Sequence, residues 1–196
     1  MFHLSPEVNP KEHYINGVKV RDVAKTINFG LAYGMGAQGL ANRVKGCSLE
    51  QARTLMRTYF NTYKDVEKYL KVSGHTGVSR GYALSLAGRR RNFSQEELSN
   101  PALRGAAERS AKNHPIQATN ADILKSALAL LSSKLPDDAH IVMTIHDELV
   151  LECPVELQDE VAKLLQSCLY EACTMFLKRV HIPEEKVLIS PFWKKD

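Results

Sequence analysis

The 196-residue chain contains no apolar run approaching the roughly 18 residues that span a bilayer, so no membrane-spanning helix is expected. Its opening stretch, MFHLSPEVNPKEHY, lacks the basic-then-apolar layout of a secretory leader. The four cysteines (Cys47, Cys153, Cys168, Cys173) form no Cys-x-x-Cys and no paired metal-ligand spacing. They read as reduced thiols of a cytoplasmic-type compartment. Internal repeats and low-complexity tracts are also missing, which argues against a solenoid or a disordered array.

What is present is ordinary for a soluble globular protein: 44% hydrophobic and 24% charged residues. The length suffices for one substantial core or two small lobes. The net charge of +4 hides an asymmetry. Residues 1–115 hold 18 Lys and Arg against 9 Asp and Glu, and residues 116–196 hold 8 against 13. A basic half suggests a polyanionic partner and an acidic half suggests a cation site, although uneven surface charge would look the same.

Residues 1–18 show no clear period and read as an irregular lead-in. Residues 19–33 predict a helix ended by Gly34 and Gly36. A short helix follows over residues 38–45. Ser48, with Gln51 three residues on, opens a longer helix to about Val72 as a capping box. Gly74 and Gly77 then break the pattern. The stretch VSRGYALSLAGRRRNF alternates like a hairpin turning near Gly88. Asn100-Pro101 starts a helix that Pro115 interrupts or kinks, resuming over residues 119–131. Strands are expected at His140–Ile145 and Glu148–Cys153, a helix over Leu157–Val180 and a last strand over Lys186–Ile189. The order implies an α+β fold, with a helical lobe on a small antiparallel sheet.

In the first helix Arg21, Lys25, Phe29 and Tyr33 recur every four residues. Four residues turn about 400°, so the side chains form one slanting stripe, cations first and aromatics after. Such a stripe can hold a triphosphate at one end and a sugar and base at the other. The competing reading puts Phe29 and Tyr33 in the core. Gly30 and Gly34, each next to an aromatic, leave space beside the rings. A glycine inside a helix costs about 1 kcal/mol, so two in five residues call for a reason.

The stretch MTIHDELVLE places His146, Asp147 and Glu148 at the tip of a tight hairpin. Adjacent strand residues point to opposite faces, so the tip offers one well-placed carboxylate and a second nearby at best. Carboxylates suit Mg²⁺, but a two-metal phosphoryl-transfer site needs several to bridge ions about 3.5–4 Å apart. A plain polar turn is the bland alternative.

RDVAKTINFGLAYG (Arg21–Gly34) resembles the fingers motif of family A DNA polymerases, the bacterial polymerase I type. IHDELVLE (Ile145–Glu152) resembles their palm motif with a catalytic aspartate. AGRRRNF, AAERSAKNHPIQATNADILK and ISPFW are similar to that family in the same order, so the resemblance covers about residues 19–194. It implies a fingers subdomain with its following hairpin over residues 19–95 and the C-terminal half of a palm over residues 96–196. It implies that Arg21 and Lys25 bind the phosphates of a deoxynucleoside triphosphate. Phe29 would pack on the sugar and Tyr33 near the templating base. Arg109, Asn113 and Gln117 would lie along the minor groove of primer-template DNA, where Gln117 could check pair shape. His146 would touch the primer end, and Asp147 would bind Mg²⁺, with Glu148 beside it as a further catalytic candidate. Arg89, Arg90 and Arg91 would meet the DNA backbone, against the alternative of a solvated basic turn. A cytoplasmic, nucleoid-associated location would follow.

One departure is large. The family's other catalytic aspartate sits in a strand motif, Asp-Tyr-Ser-x-x-Glu, upstream of the fingers, and no such segment occurs here. Asp22 and Asp122 do not match it. The expectation is half a metal site and an incomplete palm sheet with an exposed edge. The isolated chain would then be inactive until a complementary N-terminal polymerase chain supplies the aspartate and the thumb. The alternative is a non-catalytic DNA- or nucleotide-binding module derived from a polymerase.

Overall fold

The computed structural model describes residues 9, 12–15, 18–146, 148–183 and 187–193. It divides into two compact units, Met1–Ala83 with Arg91–Asn113 and Leu84–Arg90 with His114–Asp196. The expected change of subdomain at residues 95–96 falls inside the first unit. The fold is α+β, mostly helical, with three two-stranded sheets among the described residues.

The first unit begins with β1 (Tyr14–Ile15) paired antiparallel to β2 (Val18–Lys19), so the end of the expected irregular lead-in is a small hairpin. Helix α1 (Val20–Ala32) buries Val20, Val23, Ile27, Gly30 and Leu31, the i, i+3, i+4 spacing of one helix face. Ile27 and Leu31 are each 1% exposed, and burying each contributes roughly 1.5–3 kcal/mol. The helix ends in a Schellman motif: Gly34 N–H donates to Leu31 O at 3.0 Å, and Met35 N–H to Gly30 O at 2.8 Å. Gly34 takes the required positive φ of 77°.

Helices α2 (Ala37–Arg43) and α3 (Leu49–Thr62) complete a core of Val23, Ile27, Leu31, Leu40, Ala52 and Tyr59. The capping box on α3 is present in both directions, Ser48 N–H to Gln51 Oε1 at 2.8 Å and Gln51 N–H to Ser48 Oγ at 3.2 Å. Tyr59 also donates from its hydroxyl to Asn28 Oδ1 at 2.8 Å, tying α3 to α1.

Two expectations fail here. The helix from Ser48 stops at Thr62, where Tyr63 turns the chain at φ −113° and ψ 63°, and α4 (Lys64–Arg80) begins at once. Helix α4 then runs straight through Gly74 and Gly77. The strands β3 (Tyr82–Leu84) and β4 (Arg90–Asn92) and a short α5 (Gln95–Ser99) lead to α6 (Pro101–Lys134). A Cβ on Gly77 would lie 2.4 Å from the Cβ of Ala111 on α6, and one on Gly74 would lie 2.6 Å from Lys112 Cε. These glycines permit a close helix–helix approach and do not end the helix. Ala83, Phe93, Ala107 and Ala111, with Leu98 against them, form the small core at this contact. Helix α5, unexpected, has its own capping box between Ser94 and Glu97. The pattern Ser-x-x-Glu is its sequence signal.

Helix α6 runs 34 residues without a break at Pro115. The proline forfeits one backbone hydrogen bond and strains the preceding turn, at about 3 kcal/mol. Buried Ala107 and Ala111 upstream, and Ala118, Ala127 and Leu131 downstream, outweigh that cost.

In the second unit, β5 (His140–Ile145) and β6 (Glu148–Glu152) pair antiparallel, with an irregularity between Ile141 and Met143. Helix α7 (Gln158–Phe176) packs Leu165 and Cys168 against Leu131, with Ile141, Leu149 and Leu151 at the border. The expected last strand is not formed at residues 187–189, and its start at residue 186 lies outside the described residues. A two-stranded sheet is marginal alone, and among the described residues both edges of this one are unpaired.

Candidate functional site

The face of α1 opposite its buried stripe carries Phe29 and Tyr33, which are 51% and 43% exposed. Their rings lie nearly parallel, interplanar angle 14°, with centroids 6.3 Å apart. They are therefore not core residues. An exposed aromatic pair forgoes burial that a bound planar group would supply. A cleft of about 700 Å³ opens along this face, lined by Lys25, Thr26, Phe29, Tyr33, Met35, Arg43 and Arg109 with Gly30, Gly34 and Gly36. Its charged lining is wholly cationic: Lys25 from α1, Arg43 from α2 and Arg109 from α6. Cations beside stacked rings suit a ligand with phosphates and a flat base.

The glycines of α1 act differently from expectation. A Cβ at Gly30 would meet Met35 Cε at 2.6 Å, so this glycine admits the methionine that folds back over the helix end. Gly34 serves the left-handed turn, and the stem of Arg109 lies against it, Cγ 3.4 Å from where a Cβ would sit. Both glycines still line the cleft. Arg43 went unmarked in the sequence, because its place in the cleft depends on how the Gly34–Gly36 turn aims α2. Arg21 is exposed one turn before Lys25 and is not among the lining residues. Asn113, on α6 one turn after Arg109, is half-buried.

In the second unit His146 is exposed and takes a positive φ of 54° at the β5–β6 turn, where Ile145 pairs with Glu148. That conformation is uncommon for a residue with a side chain and marks a tight two-residue connection. Asp147 lies outside the described residues. Glu148 is exposed and accepts a hydrogen bond from Trp193 Nε1 at 3.0 Å. Among the described residues no three His, Cys, Asp or Glu side chains are grouped to hold a metal ion. Gln117, on α6, is exposed.

Arg89 is engaged within the protein. Its guanidinium pairs with Asp122 of α6, Nε to Oδ1 at 2.7 Å with Nη2 on the same oxygen. Asp122 is 6% exposed and also accepts from Ser85 Oγ at 2.6 Å. Burial pushes its carboxyl up, but the bonds from Ser85 and Arg89 and the charges of Arg89 and Lys125 outweigh this and hold it below its ordinary value. Leu86 N–H donates to Thr119 Oγ1 at 2.9 Å, and His114 Nε2 lies 3.0 Å from Arg89 O. The hairpin turn is thus pinned to α6. Local pattern gives no sign of this set, since nothing in the spacing links residues 25 or more positions apart. Arg91 pairs with Glu97 at 3.2 Å and lies 5.3 Å over the Phe93 ring.

The structure therefore joins Lys25, Phe29, Tyr33 and Arg109 in one cleft of the first unit and adds Arg43. Gln117, His146 and Glu148 belong to the second unit. No helix among the described residues is long and apolar enough to cross a membrane.

The family model "DNA polymerase family A" matches residues 8–187. The chain is 36% identical over 174 residues to the thermostable DNA polymerase I of Thermus filiformis, covering 88% of this chain and 20% of that protein. It is 36% identical over 169 residues to DNA polymerase I of Pseudomonas aeruginosa, covering 81% and 18%. A solved structure described as the POL domain of Pol1 from M. smegmatis, in complex with DNA primer-template and dNTP, superposes with a TM-score of 0.74. Its identity is 35%, over 78% of this chain and 27% of that one. The chain spans about a fifth of the length of the curated relatives it matches. The chain belongs to DNA polymerase family A.

Proposed function

We propose that this chain is the nucleotide-binding and partial catalytic portion of a DNA-directed DNA polymerase. The observation that carries the reading is the cationic cleft roofed by the stacked, exposed Phe29 and Tyr33. The reaction is attack of a primer 3′-oxygen on the α-phosphorus of a deoxynucleoside triphosphate. The bond to the β-phosphate breaks and pyrophosphate leaves. Lys25, helped by Arg21 at the helix start and Arg43 across the cleft, holds the triphosphate. Lys25 also gives a hydrogen bond or a proton to the leaving pyrophosphate. Phe29 packs on the sugar, and Tyr33, where α1 ends, lies beside the templating base. Arg109 and Asn113, with Gln117 on the same helix, take the minor groove of the primer-template duplex. In the second unit His146 touches the primer end.

Asp147 is a ligand for Mg²⁺, with Glu148 adjacent. The Asp-Tyr-Ser-x-x-Glu segment is not in these 196 residues. The remaining carboxylate and the thumb therefore come from outside them, from further sequence of the same polypeptide or from a complementary N-terminal polymerase chain. The support is the family membership together with the structural neighbour described as bound to DNA primer-template and dNTP.

Primer extension with Mg²⁺ tests this. The 196-residue chain alone should not extend a primer, and adding a polypeptide that carries the upstream aspartate strand should restore extension. Robust extension by the chain alone would refute the half-site. DNA binding with no extension under any complementation would leave a binding module in its place.

A further inference from the structure

The tail over residues 187–193 meets the rest of the second unit at two points. Val187 packs against the core of Leu131, Leu165 and Cys168. Further on, the indole Nε1–H of Trp193 donates to Glu148 Oε1 at 3.0 Å. Between these points Leu188, Ile189 and Phe192 are exposed. Ser190 Oγ donates to Phe192 O at 2.8 Å, which bends the tail locally. A tail with so little burial of its own is held by its ends, the aliphatic Val187 and the indole N–H.

The partner of that N–H has a particular place. Glu148 is the first residue of β6 and pairs with Ile145 across the turn that carries His146 and Asp147. The chain is constrained there, with His146 at a φ of 54°. Glu148 is exposed, and a glutamate side chain in water samples many rotamers. The indole is a stiff side chain with two torsions, so its N–H selects among them. The indole nitrogen is also a donor only, and it is neutral. A lysine or arginine in its place would cancel the carboxylate's charge. Trp193 orients the carboxylate and leaves its negative charge at the hairpin tip.

We propose that Trp193 is a positioning residue for the polymerase reaction: its indole N–H fixes the Glu148 carboxylate, and through Glu148 the tail steadies the turn that carries His146 and Asp147. This rests on the polymerase reading. Trp193 acts through Glu148 and touches no reacting atom itself.

Trp193 is the chain's single tryptophan, so acrylamide quenching of its fluorescence reads this contact alone. In the 196-residue chain Glu148→Leu should raise the quenching constant about twofold, as a ring that is 44% exposed swings free into water. Glu148→Gln keeps an acceptor oxygen and should leave the constant near that of the wild type. In the complemented enzyme Trp193→Phe should lower kcat for primer extension about tenfold, the effect of one charge-assisted hydrogen bond, with the KM for deoxynucleotide unchanged. Trp193→His can again offer a ring N–H and should recover part of kcat. Both bonded groups are exposed, so the contact adds little to folding and Trp193→Phe should keep the wild-type Tm. A Tm that falls in step with kcat would make the contact structural and overturn the positioning role. Equal quenching in Glu148→Leu and the wild type would overturn the contact, and an unchanged kcat in Trp193→Phe would overturn its role, with the polymerase reading standing in both cases. A wild-type complemented enzyme that extends no primer would overturn the polymerase reading and the positioning role with it.

Discussion

The Arg89–Asp122 pair offers the sharpest quantitative test of what the basic turn does. Asp122 is 6% exposed and the Arg89 side chain 43% exposed. Removing one partner of a fully buried pair costs about 3–5 kcal/mol, because the other charge is stranded. Water already reaches the guanidinium, so Arg89→Ala should cost less, about 2 kcal/mol. Asp122→Ala should cost about 2–3 kcal/mol, since Ser85 loses its acceptor as well. With a urea m-value of about 2 kcal/mol/M, each midpoint falls by roughly 1 M. In Arg89→Ala/Asp122→Ala the stranded charge is gone, so a double-mutant cycle should return a coupling of about 1–2 kcal/mol. The folded Asp122 carboxyl lies below its ordinary value. Its contribution is therefore complete above the ordinary carboxylate range and is lost as pH falls through the depressed folded value, and Asp122→Asn should flatten that acid limb. A coupling under about 0.5 kcal/mol, with DNA affinity lowered in Arg89→Ala alone, would show that Arg89 serves the DNA and not the hairpin.

Other outcomes are expected from the cleft and the packing. Phe29→Tyr should raise incorporation of dideoxynucleotides in the complemented enzyme, because the added hydroxyl replaces a missing sugar contact; unchanged discrimination would take Phe29 off the sugar. Asp147→Asn should abolish complemented extension while leaving the DNA dissociation constant within about twofold, roughly 0.4 kcal/mol; full activity would remove Asp147 from the metal site. Arg43→Gln should weaken nucleotide binding about tenfold, the roughly 1.4 kcal/mol of one charge-assisted contact; an unchanged KM would place Arg43 away from the phosphates. Gly77→Val should destabilise the first unit by about 2 kcal/mol or more through overpacking against Ala111, read from thermal unfolding, and no loss of Tm would mean α4 and α6 are not in that contact.

Much was legible from local chemistry alone. The buried stripe of α1, the Ser48 capping box, the Gly34 stop and the β5–β6 hairpin depend on residues within a few positions of one another. So does the order of the stripe from Lys25 to Tyr33, which a helix sets by its 3.6-residue turn. Other features needed partners distant in sequence. Gly74 and Gly77 look like breakers until Ala111 and Lys112 are seen lying against them. Pro115 looks like an end until the buried alanines on both sides hold α6 together. Arg89 gives no local sign of its pairing with Asp122, and Arg43 looks like any surface arginine until α2 carries it into the cleft. Local pattern determines which conformation a segment prefers and which side chains share a face. Only tertiary packing decides which of those charges are already neutralised and which remain open to a ligand, because that depends on groups brought near by the fold.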